Sequence, residues 1–358
     1  MRYIYKTHYD QDIDLARLPG QRRWYGLLLL LLVAAPWIFS PYLLSQLTFI
    51  LIYGIIGLGL MLLSGFTGLF SIGHAAFLGI GAYTEAFLAA RGWPLPLSLF
   101  AAMLVSAIAG VIVGLPALRV RGMYLGIATL AFGFIVEEII ARWESFTGGN
   151  AGKTVAALQT FGLPVDQELQ LYFVCLACAV LSTLFVLNLL RAPTGRALVA
   201  IRDSEISAQS MGIPLAYYKS LSFAVSAALA GLGGALYAHK LHYISPEQFG
   251  IVQSIDLLMM IVIGGLGSVH GAFLGAFFLI CMPPAISWLK AFLPPTIGEA
   301  TGLQAFVYGA ILAAFVIFEP MGMYGRWLKI RIWLESFPLY RSGMFRRQKA
   351  FLKSERVK

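Results

Sequence analysis

Charge is what this sequence has least of. Only 12% of its 358 residues are Asp, Glu, Lys or Arg, about half of the roughly 25% typical of a soluble domain. With 59% hydrophobic residues and a mean hydropathy of +0.79, a water-soluble fold of this size could not cover its own surface. That excludes an ordinary globular enzyme and a disordered chain alike. Cysteine is scarce as well: Cys175, Cys178 and Cys281 are too few, and odd in number, for a disulfide framework. Cys175 and Cys178 have CxxC spacing, but the apolar residues around them (Phe173-Val174, Leu176-Ala177) read as a helix in lipid rather than a redox or metal site. Acidic residues number 17 against 26 basic ones. The resulting charge of +9 has the sign of a nucleic-acid binder until its location is found.

What the chain does have is long charge-free runs, at 24–84, 92–118, 122–136, 169–190, 220–239, 257–289 and 300–318. A membrane-spanning helix needs about 20 mostly apolar residues, because hydrocarbon offers the backbone no hydrogen-bond partner but itself. The first run holds two spans and part of a third, with breaks at Pro41, Ser45-Gln46 and the Gly-rich segment after Ser64. The pattern predicts an all-α integral membrane protein of about ten transmembrane helices. They fall near 27–44, 46–64, 74–90, 97–118, 122–141, 169–190, 220–239, 252–266, 270–289 and 303–318. Three regions follow: an N-terminal segment 1–26, a transmembrane domain 27–319 with a cytoplasmic loop at 191–219, and a basic tail 320–358.

Orientation follows from the cations. With the N-terminus inside, 21 of the 26 basic residues fall on the cytoplasmic face, leaving Arg91, Arg142, Lys153, Lys240 and Lys290 outside. Both termini are therefore expected in the cytoplasm. Asp10, Asp12 and Asp14 precede the first apolar run and no small-residue cleavage site follows, so the N-terminus does not read as a signal peptide. The tail accounts for the net charge, with ten basic residues and two acidic ones (Glu335, Glu355). Trp327, Ile330, Trp333, Leu334, Phe337 and Leu339 interleave with Arg326, Lys329 and Arg331. Two readings stand: a basic amphipathic helix on the anionic inner leaflet, or a solubilising tail that satisfies the positive-inside rule. With no base-reading motif or nucleic-acid-binding fold, nucleic acid is not an expected partner.

Residues 147–154, Thr-Gly-Gly-Asn-Ala-Gly-Lys-Thr, end like a phosphate-binding loop. That pattern requires Gly where Thr147 stands and a preceding strand; here a helix precedes, on the outer face, so the chain is not expected to hydrolyse nucleotide. Two Gly-rich breaks carry more. Gly65, Gly68, Ser71, Gly73 and His74 belong to the first, and Gly264, Gly265, Gly267, Ser268 and His270 to the second. Each runs into a related hexapeptide, His74-Ala-Ala-Phe-Leu-Gly79 and His270-Gly-Ala-Phe-Leu-Gly275, 196 residues apart. Discontinuous helices in repeats are how transporters build a site near the membrane midplane; close packing through small residues is the plainer reading. The carboxylates within spans are Glu85, Glu137, Glu138 and Asp256, each costly in hydrocarbon and so expected inside the protein or near an interface. An ion pair of Glu137 or Glu138 with Arg142 competes with a proton relay. No span carries a convergent His/Asp/Glu or Ser/His set for catalysis, nor a metal-ligand set.

The cytoplasmic segment Arg191–Pro214 reads as two short helices. Thr194 or Gly195 opens the first, Asp203-Ser204 caps the second, and Gly212 with Pro214 ends it. Ile206, Ala208 and Met211 give the second helix an apolar side that lipid is not available to cover, which calls for a groove on a partner protein.

These residues carry a resemblance that spans Tyr53 to Pro320. Gly65–Phe77, Ala117–Leu125, Thr147–Gly152, Gly195–Arg202, Asp203–Gly212, Ser245–Glu247 and Gly264–Ser268 are together similar to LivM-like permease subunits of branched-chain amino-acid-type ABC importers. The resemblance implies that residues 203–213 form a coupling helix contacting an ATPase subunit through Asp203, Glu205, Ile206, Ser207, Ala208, Met211 and Gly212. Of the family's Glu-Ala-Ala-x-x-x-Gly signature only Ala208 and Gly212 match. It further implies a bacterial inner-membrane assembly with a second, LivH-like permease, two LivG/LivF-like ATPase subunits and a periplasmic binding protein. No cofactor is implied for this chain, since the ATPase subunits use the ATP. The substrate class is branched-chain or other hydrophobic amino acids, with urea or amides and aromatic or organic acids as alternatives within the family. An ion-coupled secondary transporter is the competing class.

Overall fold

The computed structural model describes residues 19–117, 122–156, 167–290, 303–318 and 322–336. Helices fill the apolar runs in the expected order: α1 (Pro19–Ile38), α2 (Pro41–Leu60), α3 (His74–Ala89), α4 (Leu95–Ala117) and α5 (Met123–Arg142). After a one-turn helix α6 (Glu144–Thr147) come α7 (Gln167–Arg191), the short α8 (Pro193–Asp203) and α9 (Glu205–Ser210), and α10 (Leu215–Leu241). The chain continues through α11 (Ile251–Gly264), α12 (Val269–Lys290), α13 (Leu303–Phe318) and α14 (Gly322–Ser336). Among the described residues, seven segments are long and apolar enough to cross a membrane: those built on α2, α4, α5, α7, α10, α11 and α12. The protein is a multi-pass membrane protein. α1 and α13 are apolar over shorter stretches, and α3 is a 16-residue helix buried along most of its length.

Several boundaries differ from expectation: α1 starts at Pro19 instead of 27, α8 opens at Pro193 instead of Thr194 or Gly195, and α10 starts at Leu215 instead of 220. The first helix stops at Ile38 instead of reaching residue 44, and the second starts at Pro41. Proline has no N–H to donate and its fixed φ suits the first turn, so Pro41 opens a helix where the apolar pattern runs on unchanged.

α2 and α10 form the centre, with 83% and 72% of their apolar windows buried against 28–39% for the other spans. α10 lies against α4, α3 and α2, while α2 also packs on α12 and α7. Small residues set these approaches. A Cβ on Gly59 of α2 would fall 2.6 Å from the carbonyl of Ser226 on α10, and Gly81 of α3 faces Gly231 of α10 backbone to backbone. Ser226 donates to Gly59 O at 2.7 Å and Ser106 to Phe77 O at 3.2 Å, adding interhelical hydrogen bonds where no water can serve. At one end of the bundle, β1 (Lys153–Thr154) pairs antiparallel with β2 (Tyr243–Ile244), tying the connection after α5 to the end of α10.

All seven tryptophans are exposed. Trp24 and Trp37 lie near the two ends of the apolar run of α1, Trp93 in the turn before α4, Trp143 just after α5, and Trp288 near the end of α12. Trp327 and Trp333 are on α14. Indole rings settle at the membrane–water interface because one edge is polar and the rest apolar.

Candidate functional site

The first break is built from a change of helical pitch. α2 widens into a π-helical turn, Met61–Phe66, in which Thr67 N bonds Leu62 O at 3.2 Å. Gly68 then takes φ +76°, a conformation a side chain would strain. Ser64 donates to Leu69 O at 3.1 Å, and Ile72 N bonds the Thr129 hydroxyl of α5 at 3.0 Å. α3 restarts at His74, with Gly73 pressed against the Thr129 backbone. Ser71 and His74 are fully buried, and among the described residues the Ser71 hydroxyl and both His74 ring nitrogens lack a hydrogen-bond partner. Such groups cost about 1–3 kcal/mol each.

The second break follows α11. Gly265 and Gly267 have φ +111° and +81°, and the Ser268 hydroxyl accepts from Gly271 N at 2.9 Å, opening α12. The two breaks meet. Gly267 N points at the Met61 sulfur at 3.1 Å, and a Cβ on Gly65 would fall 2.6 Å from Gly267 N.

Arg202, the penultimate residue of α8, completes the junction. Its Nη1 donates to Gly65 O at 3.1 Å, its Nε and Nη2 reach Asp203 Oδ1 at 3.2 and 3.1 Å, and its stem packs on Gly68. Immediately beyond, Ser204 caps α9 by accepting from Ser207 N at 3.3 Å. Gly212 at φ +81° ends α9, with Ile213 N bonded back to Ala208 O at 3.1 Å. Glu205 holds α9 to the membrane domain through Lys219 on α10, at 2.7 Å; the lysine side chain is only 2% exposed.

The expected contact residues of α9 divide into two sides. Ile206 and Met211 project, 71% and 85% exposed, with Asp203, Ser207 and Gly212 exposed beside them. Ala208 is on the inner side, 3% exposed. It therefore packs the helix down and is not part of the outward apolar face.

The two histidines of the repeat differ in their surroundings, and His270 is the open one. It lies exposed at the start of α12, hydrogen-bonded to the Tyr25 hydroxyl at 2.8 Å and stacked with Tyr324 at 5.7 Å. His74, by contrast, is enclosed and edge-on to Phe77 at 5.6 Å. The repeated hexapeptide fixes a similar helix start twice, but α1 and α14 cover only the second copy.

Three of the four carboxylates expected within spans, of which only Glu85 is buried, have defined surroundings. Glu85 Oε1 accepts from Ser98 at 2.7 Å and lies 2.9 Å from His239 Nε2, joining α3, α4 and α10. Glu138 pairs with Arg142 one turn on, and the Glu137 carboxylate sits over Gly250 at the start of α11, where the helix dipole favours it. In the loop 147–154, Lys153 donates to Phe146 O at 2.9 Å and lies over the Phe87 ring. Its ammonium is pushed below the ordinary lysine range by burial and by Arg91. It caps its own loop instead of offering a phosphate cradle.

Broken helices that meet beside a surface-projecting helix, inside a multi-pass helical bundle, are an arrangement that membrane transporters use. Comparison with known proteins gives the family. Residues 42–316 match the family described as branched-chain amino acid transport system / permease component, and the chain belongs to it. It is 38% identical over 289 residues to the high-affinity branched-chain amino acid transport system permease protein LivM of Salmonella typhimurium, covering 71% of this chain and 66% of that one. It is 38% identical over 290 residues to LivM of Escherichia coli K12, covering 73% and 67%. The matched part thus spans about two thirds of the length of these relatives. A more distant relative is the autoinducer 2 import system permease protein LsrC of Enterobacter sp. strain 638, 28% identical over 53% of this chain and 55% of that one. No solved structure matches.

Arg202 and Lys219 were not among the candidates read from the sequence. Arg202 ends a resemblance motif, but its partner lies 137 residues away, and nothing in a one-dimensional pattern joins them.

Proposed function

We propose that the chain is the membrane-spanning subunit of an ATP-driven importer in the bacterial inner membrane, with about ten spans and both termini cytoplasmic. α9 docks into a groove on an ATPase subunit through Ile206 and Met211, and ATP is bound and hydrolysed on that partner. A second permease chain completes the translocation path, and a binding protein delivers the substrate, a branched-chain or other hydrophobic amino acid. The names of the LivM relatives support that substrate class.

The observation that carries this reading is Arg202, which links the root of α9 to Gly65 at the point where the two breaks touch. A tilt of α9 would pull on the break directly. Ser71 and His74 would regain hydrogen-bond partners if the break opened to water or substrate, recovering part of their burial cost. Against the ion-coupled alternative, Glu85 Oε1 and Glu138, two of its four candidate carboxylates, are bonded within the chain.

Met211→Glu is the test. The side chain is almost wholly exposed, so folding is unaffected, while a carboxylate in an apolar groove is expected to abolish co-purification of the ATPase subunits. ATP-dependent leucine uptake into proteoliposomes should fall more than about tenfold, the loss matching roughly 1.4 kcal/mol or more. Uptake that survives both Met211→Glu and Gly212→Lys, and collapses instead with an ionophore, would overturn the assignment.

A further inference from the structure

The transport reading does not use α14, yet that helix is built into the membrane domain. Its first turn is pressed on the second break: a Cβ on Gly322 would fall 2.6 Å from Gly265 N and Cα and 2.7 Å from Ile263 O. Gly325 is buried one turn on. Tyr324 stacks on His270 with ring planes 5° apart, and His270 is bonded to Tyr25 of α1. α14 therefore cannot leave without releasing the backbone of the break.

Beyond this first turn α14 has a different composition. At 100° per residue, Lys329, Trp333, Arg326, Ile330 and Trp327 fall on one arc about 160° wide, and all five are exposed. Interleaved indoles and cations suit the headgroup layer of a bilayer, where the rings settle among the glycerol groups and the cations meet phosphate. α1, to which α14 is tied, exposes Leu27, Leu28 and Leu30, so the arc continues a surface that faces lipid. The ten cations of residues 320–358, against two acidic residues, select a negative partner.

We propose that this arc of α14 binds anionic lipid headgroups, and that lipid held there clamps the second glycine break in its packed state. The ligand is a phosphate presented at a bilayer surface. The inference needs only a bilayer and stands whether or not transport is ATP-driven.

The test is hydrogen exchange on the full chain in nanodiscs of phosphatidylcholine, alone or mixed equally with phosphatidylglycerol. Amides of 322–336 and of 263–271 should exchange several-fold more slowly with the anionic lipid, and the difference should fade as salt is raised. Arg326→Gln with Lys329→Gln should cut this lipid-dependent protection by up to roughly 25-fold, at about fivefold per cation near the surface. Amides of 215–241 report whether the variant is folded; if it is not, the salt dependence of the unaltered chain decides. Equal exchange in the two lipids overturns the proposal. So does protection by free glycerol phosphate in neutral discs, which marks a free-anion site, or protection that appears only with ATPase subunits, which marks a protein dock.

Discussion

Replacing Arg202 by Gln asks whether α9 and the glycine breaks move as one body. Three interactions are at stake. The pair with Asp203 joins two exposed side chains, 39% and 66%, and is worth about 0–1 kcal/mol. The stem contact with Gly68 is small. The bond from the guanidinium to Gly65 O at 3.1 Å involves a charged donor, and such bonds contribute about 1.5–3 kcal/mol; partial exposure of the arginine argues for the lower end. Loss of about 1.5 kcal/mol of mechanical linkage corresponds to roughly a tenfold change in an equilibrium between coupled and uncoupled states. In proteoliposomes with ATPase subunits and binding protein, Arg202→Gln is therefore expected to keep ATP hydrolysis while leucine uptake per ATP falls about tenfold. Arg202→Lys keeps the charge but loses the fork, and should fall between the two. Asp203→Asn, which removes only the surface pair, should change little. A ratio of uptake to hydrolysis that is unchanged in Arg202→Gln would refute the linkage. A parallel fall of both activities would assign the residue to ATPase docking instead.

Three further perturbations test the packing around that linkage. Glu205→Ala strands the enclosed Lys219 ammonium; removing one partner of a buried pair costs about 3–5 kcal/mol, lowered toward about 2 because Glu205 is itself 23% exposed. Thermal unfolding in detergent should show the loss, and adding Lys219→Met should restore most of it; no recovery in the double variant would refute the burial argument. Gly81→Val drives a side chain into the Gly231 backbone and is expected to yield no folded protein by size-exclusion chromatography. Gly309→Ala meets nothing within 4 Å and should be neutral or gain up to about 1 kcal/mol from helix propensity.

The features legible in the sequence are those set by neighbours along the chain. Charge-free runs marked the helices because backbone groups in lipid must bond within their own segment. Ser204 was readable as a cap and Gly212 as a stop, since both act on residues three or four away. The Glu138–Arg142 pair follows from helical spacing alone. The division expected at Ser45-Gln46 falls instead at Pro41, because hydropathy does not change across either break.

The contacts that organise the site are of another kind. Arg202 reaches Gly65, Glu85 reaches His239 across 154 residues, and Tyr172 reaches Leu32 O across 140. None of these leaves a periodicity, because each partner is chosen by which helices the small residues allow to meet. The two histidines of the repeated hexapeptide show the consequence. Their sequences predict the same local turn, and both begin helices after glycine breaks. One is fully buried, edge-on to Phe77 and without a hydrogen-bond partner among the described residues; the other stands between Tyr25 and Tyr324 at the surface. A local repeat therefore specifies where a helix restarts, while the packing of distant segments decides whether its first residue is poised in the interior or spent holding a peripheral helix in place.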